Sequence, residues 1–569
     1  MRKRLLSLLL PLVCAHADLL AAATPQLVSA TYLGTPGHDD LQDVAISEDG
    51  TIYVVGNVDQ VLTNLPEGVK AVTLGKPVEG TWYRCGLLAT FSPDGAKMLR
   101  CVQFARGQVF LTTVALGKDG VYIGGYGSEE LAELLKPLGG VFADARQANA
   151  APLPQPLPEA PATPAAEKEK AAAAPAAPTE AENVLYIKTR HHGDKGGVPF
   201  VARLGNDLTT LGAGTFLEGH HYAWNVAMPL YEEEWTPTGI AILPGGDLVV
   251  LHDGGAPVHH YYAPDYLSRL SPDLKRRAWK FDIYHPEVKP LEKIRNRGER
   301  FKGWKFPILG QVRTLRMRGD AAGNVYVGGW SVSMTSREPW WCPFLWKFNG
   351  NGELVWKAYT FDPMSGSGDR VNGLVSDSAI RSMAFDQEGG LLVSGISDGG
   401  NTVLRCDPRD YSKPAKFKAG FGGMKGRVEY VGHIMRLDEQ TRELLAGSGF
   451  GSYAQGKGYQ ATWAVDLCPL AGKRVLAVGR HNLNYPDTPD AWFHIAGDKG
   501  MFLKVLSHDF APQFSVNVPD AIPYTAACRG TRCVVVGIAA SEKTPVQRAV
   551  FPKYGGGMDG YLLVADFPE

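Results

Sequence analysis

A short pattern of strand, tight turn and strand recurs along this chain, and it restricts the possible folds more than any other feature. The clearest copy, DVAISEDGTIYVVGN from Asp43, has an apolar run, a turn with Asp and Gly, and a β-branched and aromatic run. This pattern is typical of a β-hairpin. The seven copies place their turn glycines at Gly50, Gly120, Gly246, Gly323, Gly390, Gly472 and Gly530.

A second hairpin pattern lies between the copies, for example CGLLATFSPDGAKMLRC from Cys85 and PFLWKFNGNGELVWKAYTF from Pro343. Two hairpins per unit make a four-stranded antiparallel blade. The sequence therefore predicts an all-β, seven-bladed β-propeller in one domain, residues 25–569. The segment GHIMRLDEQTRELLAGSGF from Gly432 lacks a turn glycine, so strands within a blade and an eighth blade both remain open.

The two ends of the propeller region each form a single strand pattern without a sequence neighbour to pair with. PQLVSATYLG begins at Pro25, and GGGMDGYLLVADFPE ends at Glu569. Unpaired strand edges are a liability that native sheets avoid. We therefore expect residues 27–34 to pair with residues 560–567, so that the N- and C-terminal strands close the ring.

The stretch TYLGTPGHDDLQDVAISEDGTIYVVGN resembles the repeat of the bacterial secreted β-propeller family. Matching positions are Tyr32, Leu33, Gly34, Asp39, Asp40, Ala45, Gly50, Tyr53, Val54 and Gly56. Thr35 stands where the family pattern has a second glycine, and the other copies are diverged. The resemblance implies a propeller in an exported protein and carries no catalytic residues.

The N-terminus has the pattern of a secretory signal peptide, with Arg2, Lys3 and Arg4 before an apolar run and small residues near Ala17. We expect residues 1–17 to be removed, with Ala23 as an alternative cleavage position, and the protein to be secreted or periplasmic. Lipid attachment at Cys14 stays open, although Val13 is large for such a site. No later stretch is long and apolar enough for a transmembrane helix.

One segment differs from the repeats in composition. Residues 142–182 are rich in Ala and Pro and lack aromatic side chains after Phe142. Such a segment buries too little apolar surface to fold. We expect it to be a disordered insertion within the propeller.

The charge balance argues against nucleic acid as a partner. Without residues 1–17 the chain has 55 basic and 59 acidic residues, so it has no global basic footprint. The segment from Lys275 to Lys302 is locally basic, but Asp282, Glu287, Glu292 and Glu299 interrupt it. We interpret it as a solvated loop.

The strand order separates the connections into two faces. The tight turns share one face, whereas the long and unusual connections share the other, which we call the loop face. Loops carry function more often than scaffold does. Aromatic rings there could stack on sugars or anchor a protein, or pack the loops onto the rim. The candidate ligand-binding residues are Trp224, Trp235, Trp304, Trp330, Trp340, Trp341, Tyr261 and Tyr262.

Other candidate chemistry is weaker. His220, His221, His259 and His260 form adjacent pairs without the tight spacing of a zinc site, so we expect no metal and no cofactor. A general acid/base pair for cleaving glycans would have to come from carboxylates such as Glu232, Glu233, Glu234, Asp253 and Asp265.

Seven cysteines remain after Cys14. Cys85 with Cys101, and Cys528 with Cys533, flank turns and are candidate disulfides. The alternative is that all seven are small buried apolar residues.

Taken together, the sequence predicts a monomeric, exported, non-catalytic binding or scaffold module whose ligand, a glycan or a protein, lies on the loop face. The alternative is an exported glycan hydrolase or lyase with its site at the mouth of the propeller channel.

Overall fold

The computed structural model confirms an all-β fold, a β-propeller built from antiparallel sheets. It describes residues 24–76, 84–142, 197–219, 238–253, 265–283, 312–334, 339–360, 374, 376–386, 389–414, 430–454, 458–460, 462–482, 487–493 and 499–568. The predicted signal peptide and the predicted insertion from residue 143 onward lie outside these ranges.

The described strands, in chain order, are β1 (Gln26–Leu33), β2 (Asp40–Ile46), β3 (Ile52–Val58), β4 (Lys70–Leu74), β5 (Cys85–Phe91), β6 (Met98–Phe104), β7 (Val109–Gly117), β8 (Gly120–Gly127), β9 (Val198–Leu204), β10 (Leu211–Phe216), β11 (Gly239–Ile242), β12 (Leu248–Asp253), β13 (Asp265–Leu270), β14 (Arg277–Ile283), β15 (Val312–Gly319), β16 (Val325–Met334), β17 (Pro339–Phe348), β18 (Leu354–Ala358), β19 (Ser378–Phe385), β20 (Leu391–Ser397), β21 (Cys406–Asp407), β22 (Asp410–Pro414), β23 (Val431–Leu437), β24 (Leu444–Phe450), β25 (Ser452–Ala454), β26 (Gly458–Gln460), β27 (Thr462–Pro469), β28 (Val475–His481), β29 (Gly500–Leu506), β30 (Pro512–Pro519), β31 (Ala521–Arg529), β32 (Arg532–Ala539) and β33 (Asp559–Asp566). Helical structure in these ranges consists of α1 (Ala132–Leu135) and the 3₁₀ turns Glu129–Leu131, Lys136–Leu138, Val403–Arg405 and Ala471–Lys473.

Five sheets form separate blades. Blade 1 contains β2, β3, β5 and β6, with β4 added in parallel at its outer edge. Blade 2 contains β7–β10, blade 3 contains β11–β14, and blade 4 contains β15–β18. The terminal blade has the order β31, β32, β33, β1. The hairpins predicted at Cys85 and Pro343 are therefore confirmed as β5–β6 and β17–β18.

The remaining main sheet has eight strands, and we call it the double sheet. One half contains β19, β20, β23 and β24, and the other contains β27–β30. A single parallel residue pair, Val431 with Thr462, joins the halves. The segment from Gly432 supplies β23 and β24, which extend the half that begins with β19.

The first strand of each four-stranded array lies nearest the axis. Contacts between these first strands run from β2 through β7, β11, β15, β19 and β27 to β31, and β31 also contacts β2. At the chain ends, Gln26 pairs with Asp566 and Leu33 with Gly560 in antiparallel register. The apolar faces of neighbouring blades pack together, as where Phe344 and Trp346 of blade 4 meet Val249 and Leu267 of blade 3.

The predicted turn glycines fit the observed backbone at six of seven positions. Gly50, Gly120, Gly246, Gly323, Gly472 and Gly530 have positive φ, which glycine adopts without steric cost. In the β19–β20 turn the prediction was wrong by one residue, because Gly389 has a φ of 82°. Gly390 instead donates its N–H to the Asp386 carboxylate.

The two predicted disulfides have different outcomes. Cys528 and Cys533 lie opposite each other on β31 and β32, with their sulfur atoms within bonding distance. Cys85 and Cys101 are separate buried thiols, so that prediction was wrong. The register explains the difference, because Cys101 pairs with Ala89, four residues along β5 from Cys85. Cys342, Cys406 and Cys468 are also buried thiols.

In the described ranges, no helix reaches the length and apolar character that crossing a membrane requires.

Candidate ligand-binding site

A β-bulge recurs in the first strands of six of the four-stranded arrays. The register shifts between Leu41 and Asp43, Leu111 and Thr113, Thr314 and Arg316, Ile380 and Ser382, Ala464 and Asp466, and Pro523 and Thr525. Bulges re-aim side chains. The residues that follow the six bulges form a polar set that we call the channel belt: Asp43, Thr113, Arg316, Ser382, Asp466 and Thr525.

Asp466 is the most highly bonded carboxylate of the channel belt. It accepts hydrogen bonds from Ser382 Oγ, from Thr525 Oγ1 at 2.6 Å and from the Ala526 N–H at 3.1 Å. Arg318 Nη2 lies 3.1 Å from Asp466 Oδ2, and Arg316 Nη2 lies 3.6 Å away. Burial alone would raise the pKa of Asp466, but the two guanidinium groups and the hydroxyl donors lower this pKa to about 2.

Arg316 links β15 to two inner strands that are not its neighbours. Its Nη2 donates to the carbonyls of Val465 at 3.3 Å and Tyr524 at 3.1 Å, on strands that do not neighbour β15. On the other side, Asp43 accepts from Thr113 Oγ1 and the Val114 N–H, both at 3.0 Å. Asp43 is partly accessible within the channel, yet its enclosure by protein raises its pKa. The belt therefore uses its charged groups to bind the inner strands together.

A shallow cleft lies on the loop face between blade 4 and the double sheet. Its empty volume is about 230 Å³, part of which is open solvent. This volume is below the roughly 300–1,000 Å³ of most small-molecule pockets. The cleft is lined by residues that include Leu315, Trp330, Trp341, Asp377, Arg381 and Tyr430. We call this site the aromatic cleft.

The aromatic cleft is built around two stacked indoles. Trp330 on β16 and Trp341 on β17 have ring centroids 4.4 Å apart and an angle of 7° between their planes. They are diagonal neighbours across the hairpin, because Val332 pairs with Trp341. Trp330 is only 4% exposed and forms the floor with Leu315, whereas Trp341 is half-buried above it.

The edge of the aromatic cleft combines an exposed ring with polar groups. Tyr430 is 37% exposed and contacts Trp463 edge to face at 6.1 Å. Asp377 Oδ1 accepts a hydrogen bond from the backbone N–H of Trp341 at 2.8 Å, which fixes this part of β17 against the start of β19. Arg381 is the bulged residue of β19, and Leu315 is the bulged residue of β15. The bulges that form the channel belt thus also supply side chains to the aromatic cleft.

Of the sequence-predicted aromatic residues, the structure brings Trp330 and Trp341 together. For Trp340 only the backbone is described, and it pairs with Ser333. Outside the described residues lie Trp224, Trp235, Trp304, Tyr261 and Tyr262, the histidines His220, His221, His259 and His260, and the acidic run Glu232, Glu233 and Glu234.

Asp253 and Asp265 are buried and lie opposite each other in the backbone register of β12 and β13. Asp265 Oδ2 accepts the Thr314 N–H at 2.6 Å, and its Oδ1 lies 3.8 Å from Arg313 Nη1. These bonds join blade 3 to blade 4. The geometry places Asp265 within the scaffold.

Two of the described histidines, His252 and His433, are buried within the sheets. His252 lies 2.8 Å from the Glu218 carbonyl, and His433 lies 2.8 Å from Ser397 Oγ. Burial lowers the pKa of each imidazole to about 3, so both are neutral. Across the part of the chain that the structure describes, no three His, Cys, Asp or Glu side chains are grouped to hold a metal ion.

The sequence did not indicate the three polar residues of the cleft. Asp377, Arg381 and Tyr430 stand in or beside ordinary strand patterns. Their role depends on the bulge of β19 and on the packing of the double sheet against blade 4. No local signal in the sequence separates them from scaffold residues.

No protein-family profile matches the sequence, and no curated protein sequence does either. Several solved structures have a similar chain path. A protein of unknown function from Dyadobacter fermentans has 10% identity and a TM-score of 0.38, over 96% of this chain and 100% of that one. A polysaccharide lyase described as an ulvan lyase has 11% identity and a TM-score of 0.43, over 94% and 95%. The Dos1 propeller has 10% identity and a TM-score of 0.38, over 94% and 95%. Such similarity concerns the fold alone.

Proposed function

We propose that the chain closes a ring of seven blades, with the double sheet contributing two. The single residue pair between its halves supports this division. The antiparallel pairing of β1 with β33 and the contact of β31 with β2 support closure through the two ends of the chain. The resemblance of the stretch from Thr31 to Asn57 to the bacterial secreted propeller repeat is consistent with this arrangement.

We propose further that the protein is a non-catalytic binding module whose ligand docks in the aromatic cleft. The stacked pair of Trp330 and Trp341 carries this proposal. The buried indole of Trp330 stacks against the indole of Trp341, so the Trp341 ring is held in one orientation. Such a preorganised flat surface costs little entropy to bind against.

A sugar residue is the ligand that best fits the aromatic cleft. Sugar rings present an apolar face that stacks on indole, and their hydroxyls need donors and acceptors at the edge of the contact. Trp341 offers the ring, and Tyr430, Asp377 and Arg381 surround it with polar groups. The small volume suits one ring or the end of a chain rather than an enclosed molecule. A protein partner inserting a flat side chain is the other ligand class.

A second candidate function is cleavage of a glycan at the channel mouth. One observation favours it: enclosure raises the pKa of Asp43, whereas Arg316 and Arg318 help to lower that of Asp466 to about 2. Carboxylates with separated pKa values are typical of acid/base pairs. However, protein donors occupy both Asp43 oxygens and both Asp466 oxygens. We therefore favour binding.

We place this module outside the cytoplasm, as a monomer. The basic and apolar N-terminal pattern supports export. Cys528 and Cys533, at disulfide-bonding distance, are compatible with an oxidising compartment.

The test is a binding screen of the purified protein against immobilised glycans and secreted proteins. We compare wild type with Trp341→Ala and Tyr430→Ala, and we use Leu445→Ala as the matched control. Leu445 is 55% exposed on β24, outside the aromatic cleft. The proposal is supported by a glycan that binds wild type and Leu445→Ala but binds neither cleft variant. Equal binding of all four proteins to the glycan would show that the aromatic cleft is not the binding site. Release of shortened glycan products would favour the alternative function, glycan cleavage.

A further inference from the structure

Two buried carboxylates meet where the ends of the chain come together. Asp39 lies in the loop between β1 and β2, and Asp559 is the first residue of β33. The two backbones are joined there, because the Asp39 N–H donates to the Met558 carbonyl at 2.7 Å and the Met558 N–H donates to the Gly37 carbonyl at 3.2 Å. We call this junction of blade 1 with the terminal blade the seam.

The two carboxylates point at the same position. Asp39 Oδ2 lies 2.5 Å, and Asp559 Oδ1 lies 3.0 Å, from the point that a Cβ atom at Gly34 would occupy. Glycine has no side chain there, so both oxygens lie beside the same space above Gly34. Each carboxylate residue is only 1% exposed.

The hydrogen bonds of the two carboxylates are unequal. Asp39 accepts from the Thr35 N–H, from the Asp59 N–H at 2.8 Å and from Thr35 Oγ1 at 3.2 Å. Asp559 Oδ2 accepts from the Gly555 N–H at 2.7 Å, whereas its Oδ1 has no donor among the described residues. A buried carboxylate oxygen without a donor is costly when ionised.

The surrounding charges do not neutralise this pair. The Arg84 guanidinium is bonded to Asp40 at 2.9 Å and to Asp59 at 3.2 Å. Burial and nearby acidic groups, Asp559 among them, raise the pKa of Tyr32 and Tyr554, so both phenols are neutral near pH 7. The Asp59 carboxyl contributes to the raised pKa of Asp39. Two ionised carboxylates at the seam would therefore repel each other without a counter-charge.

We propose that Asp559 carries a proton on Oδ1 and donates it to Asp39 Oδ2, so that the seam is held by a carboxylic acid bonded to a carboxylate. The proton belongs on Asp559, because the three donors around Asp39 favour its ionised form. As pH rises, the proton leaves to solvent, both groups become negative, and the seam weakens.

The pKa shifts support an extra proton at the seam, and its position on Asp559 rests on the unequal hydrogen bonds. Burial raises the pKa of Asp39 to about 7 and that of Asp559 to about 6. An unfolded aspartate has a pKa near about 3.9. Because the folded values are higher, the folded state holds the extra proton, and the contribution to stability is complete below about pH 4. It is lost as pH rises through about 6 to 7.

The experiment is thermal unfolding of the full chain at pH 5 and pH 8, for wild type and Asp559→Asn. The asparagine amide can donate to Asp39 Oδ2 at every pH, as the protonated acid does. We expect the two proteins to have similar Tm values at pH 5, and the variant to be more stable by roughly 2–5 °C at pH 8. Asp566→Asn, in the same strand, controls for removal of a partly exposed carboxylate paired with Arg532. A Tm difference for Asp559→Asn that is the same at both pH values contradicts the proposal.

Two further measurements distinguish a shared proton from a bound cation and from packing alone. Gly34→Ala inserts a methyl group between the oxygens, so it should lower Tm more at pH 5 than at pH 8. Equal decreases in Tm at pH 5 and pH 8 would contradict the shared proton. Wild type is also heated at pH 8 with calcium chloride and with EDTA. Equal Tm values are expected, and a rise with calcium that Asp559→Asn abolishes would identify a cation in place of the proton.

Discussion

Arg318 of β15 donates to both oxygens of the Asp466 carboxylate of β27, at 3.1 and 3.2 Å. These strands belong to blade 4 and to the second half of the double sheet, and β19 lies between them. The ion pair therefore ties together inner strands that are not neighbours.

Replacing Asp466 should be strongly destabilising. In Asp466→Asn the uncharged amide no longer neutralises Arg316 and Arg318, and its nitrogen cannot accept from Ser382 or Thr525. Removing one partner of a buried ion pair costs about 3–5 kcal/mol. We expect a loss in that range in urea unfolding, against about 0–1 kcal/mol for Asp566→Asn at the partly exposed pair with Arg532. Equal losses for the two variants would contradict the role assigned to Asp466.

The same carboxylate should contribute to acid sensitivity. Its pKa of about 2 in the folded protein is lower than the roughly 3.9 of an unfolded aspartate. The unfolded state therefore binds the proton first, and stability is lost as pH falls from about 4 to about 2. The contribution is about 2–3 kcal/mol. Unfolding free energies between pH 2 and pH 5 should have a smaller slope in Asp466→Asn than in wild type, and parallel slopes would count against the account.

The recurring turns explain why the architecture could be predicted. Gly50 and its counterparts need positive φ, and that need leaves a signal within each hairpin. The pairing of Gln26–Leu33 with Asp559–Asp566 followed from the same reasoning, because each end supplied a strand pattern without a partner. Strand β4 was missed, since Lys70–Leu74 only covers the outer edge of blade 1 and has a pattern no different from a loop.

The candidate site could be predicted only in part. Trp330 and Trp341 were found because large rings are conspicuous in a strand, and their stacking needed the β16–β17 register. Arg381 reaches the aromatic cleft, and Asp466 the channel belt, through bulges that no local pattern encodes. The Cys85 and Cys101 prediction failed for a similar reason. Flanking a turn does not fix which residues lie opposite each other.

The cysteines should fall into two classes of reactivity. Cys85, Cys101, Cys342, Cys406 and Cys468 are buried, and burial raises the pKa of the Cys85 and Cys101 thiols to about 12. Thiols without accessible thiolate react slowly. We expect these five to be labelled by a maleimide only after denaturation. Rapid labelling of Cys85 or Cys101 in the folded protein would show that blade 1 packs differently.

The remaining pair should resist labelling even in denaturant until a reductant is added. Cys528 and Cys533 close a short loop in the terminal blade, and such a crosslink contributes about 2 kcal/mol in the chain-entropy model. Cys528→Ser with Cys533→Ser should lower the unfolding free energy by about that amount. Peptide mass spectrometry without reduction checks the bond directly, and free Cys528 in protein recovered from an oxidising compartment would contradict it.

The most direct test of the central claim is calorimetric titration of a glycan retained in the screen into wild type, Trp341→Ala and Leu445→Ala. Trp341 is half-buried at the surface of the stack, so its removal should leave the fold intact, which the unchanged circular dichroism of the variant should show. We predict that Trp341→Ala weakens binding about tenfold or more, and that Leu445→Ala binds like wild type. A Kd for Trp341→Ala equal to that of wild type would contradict the account.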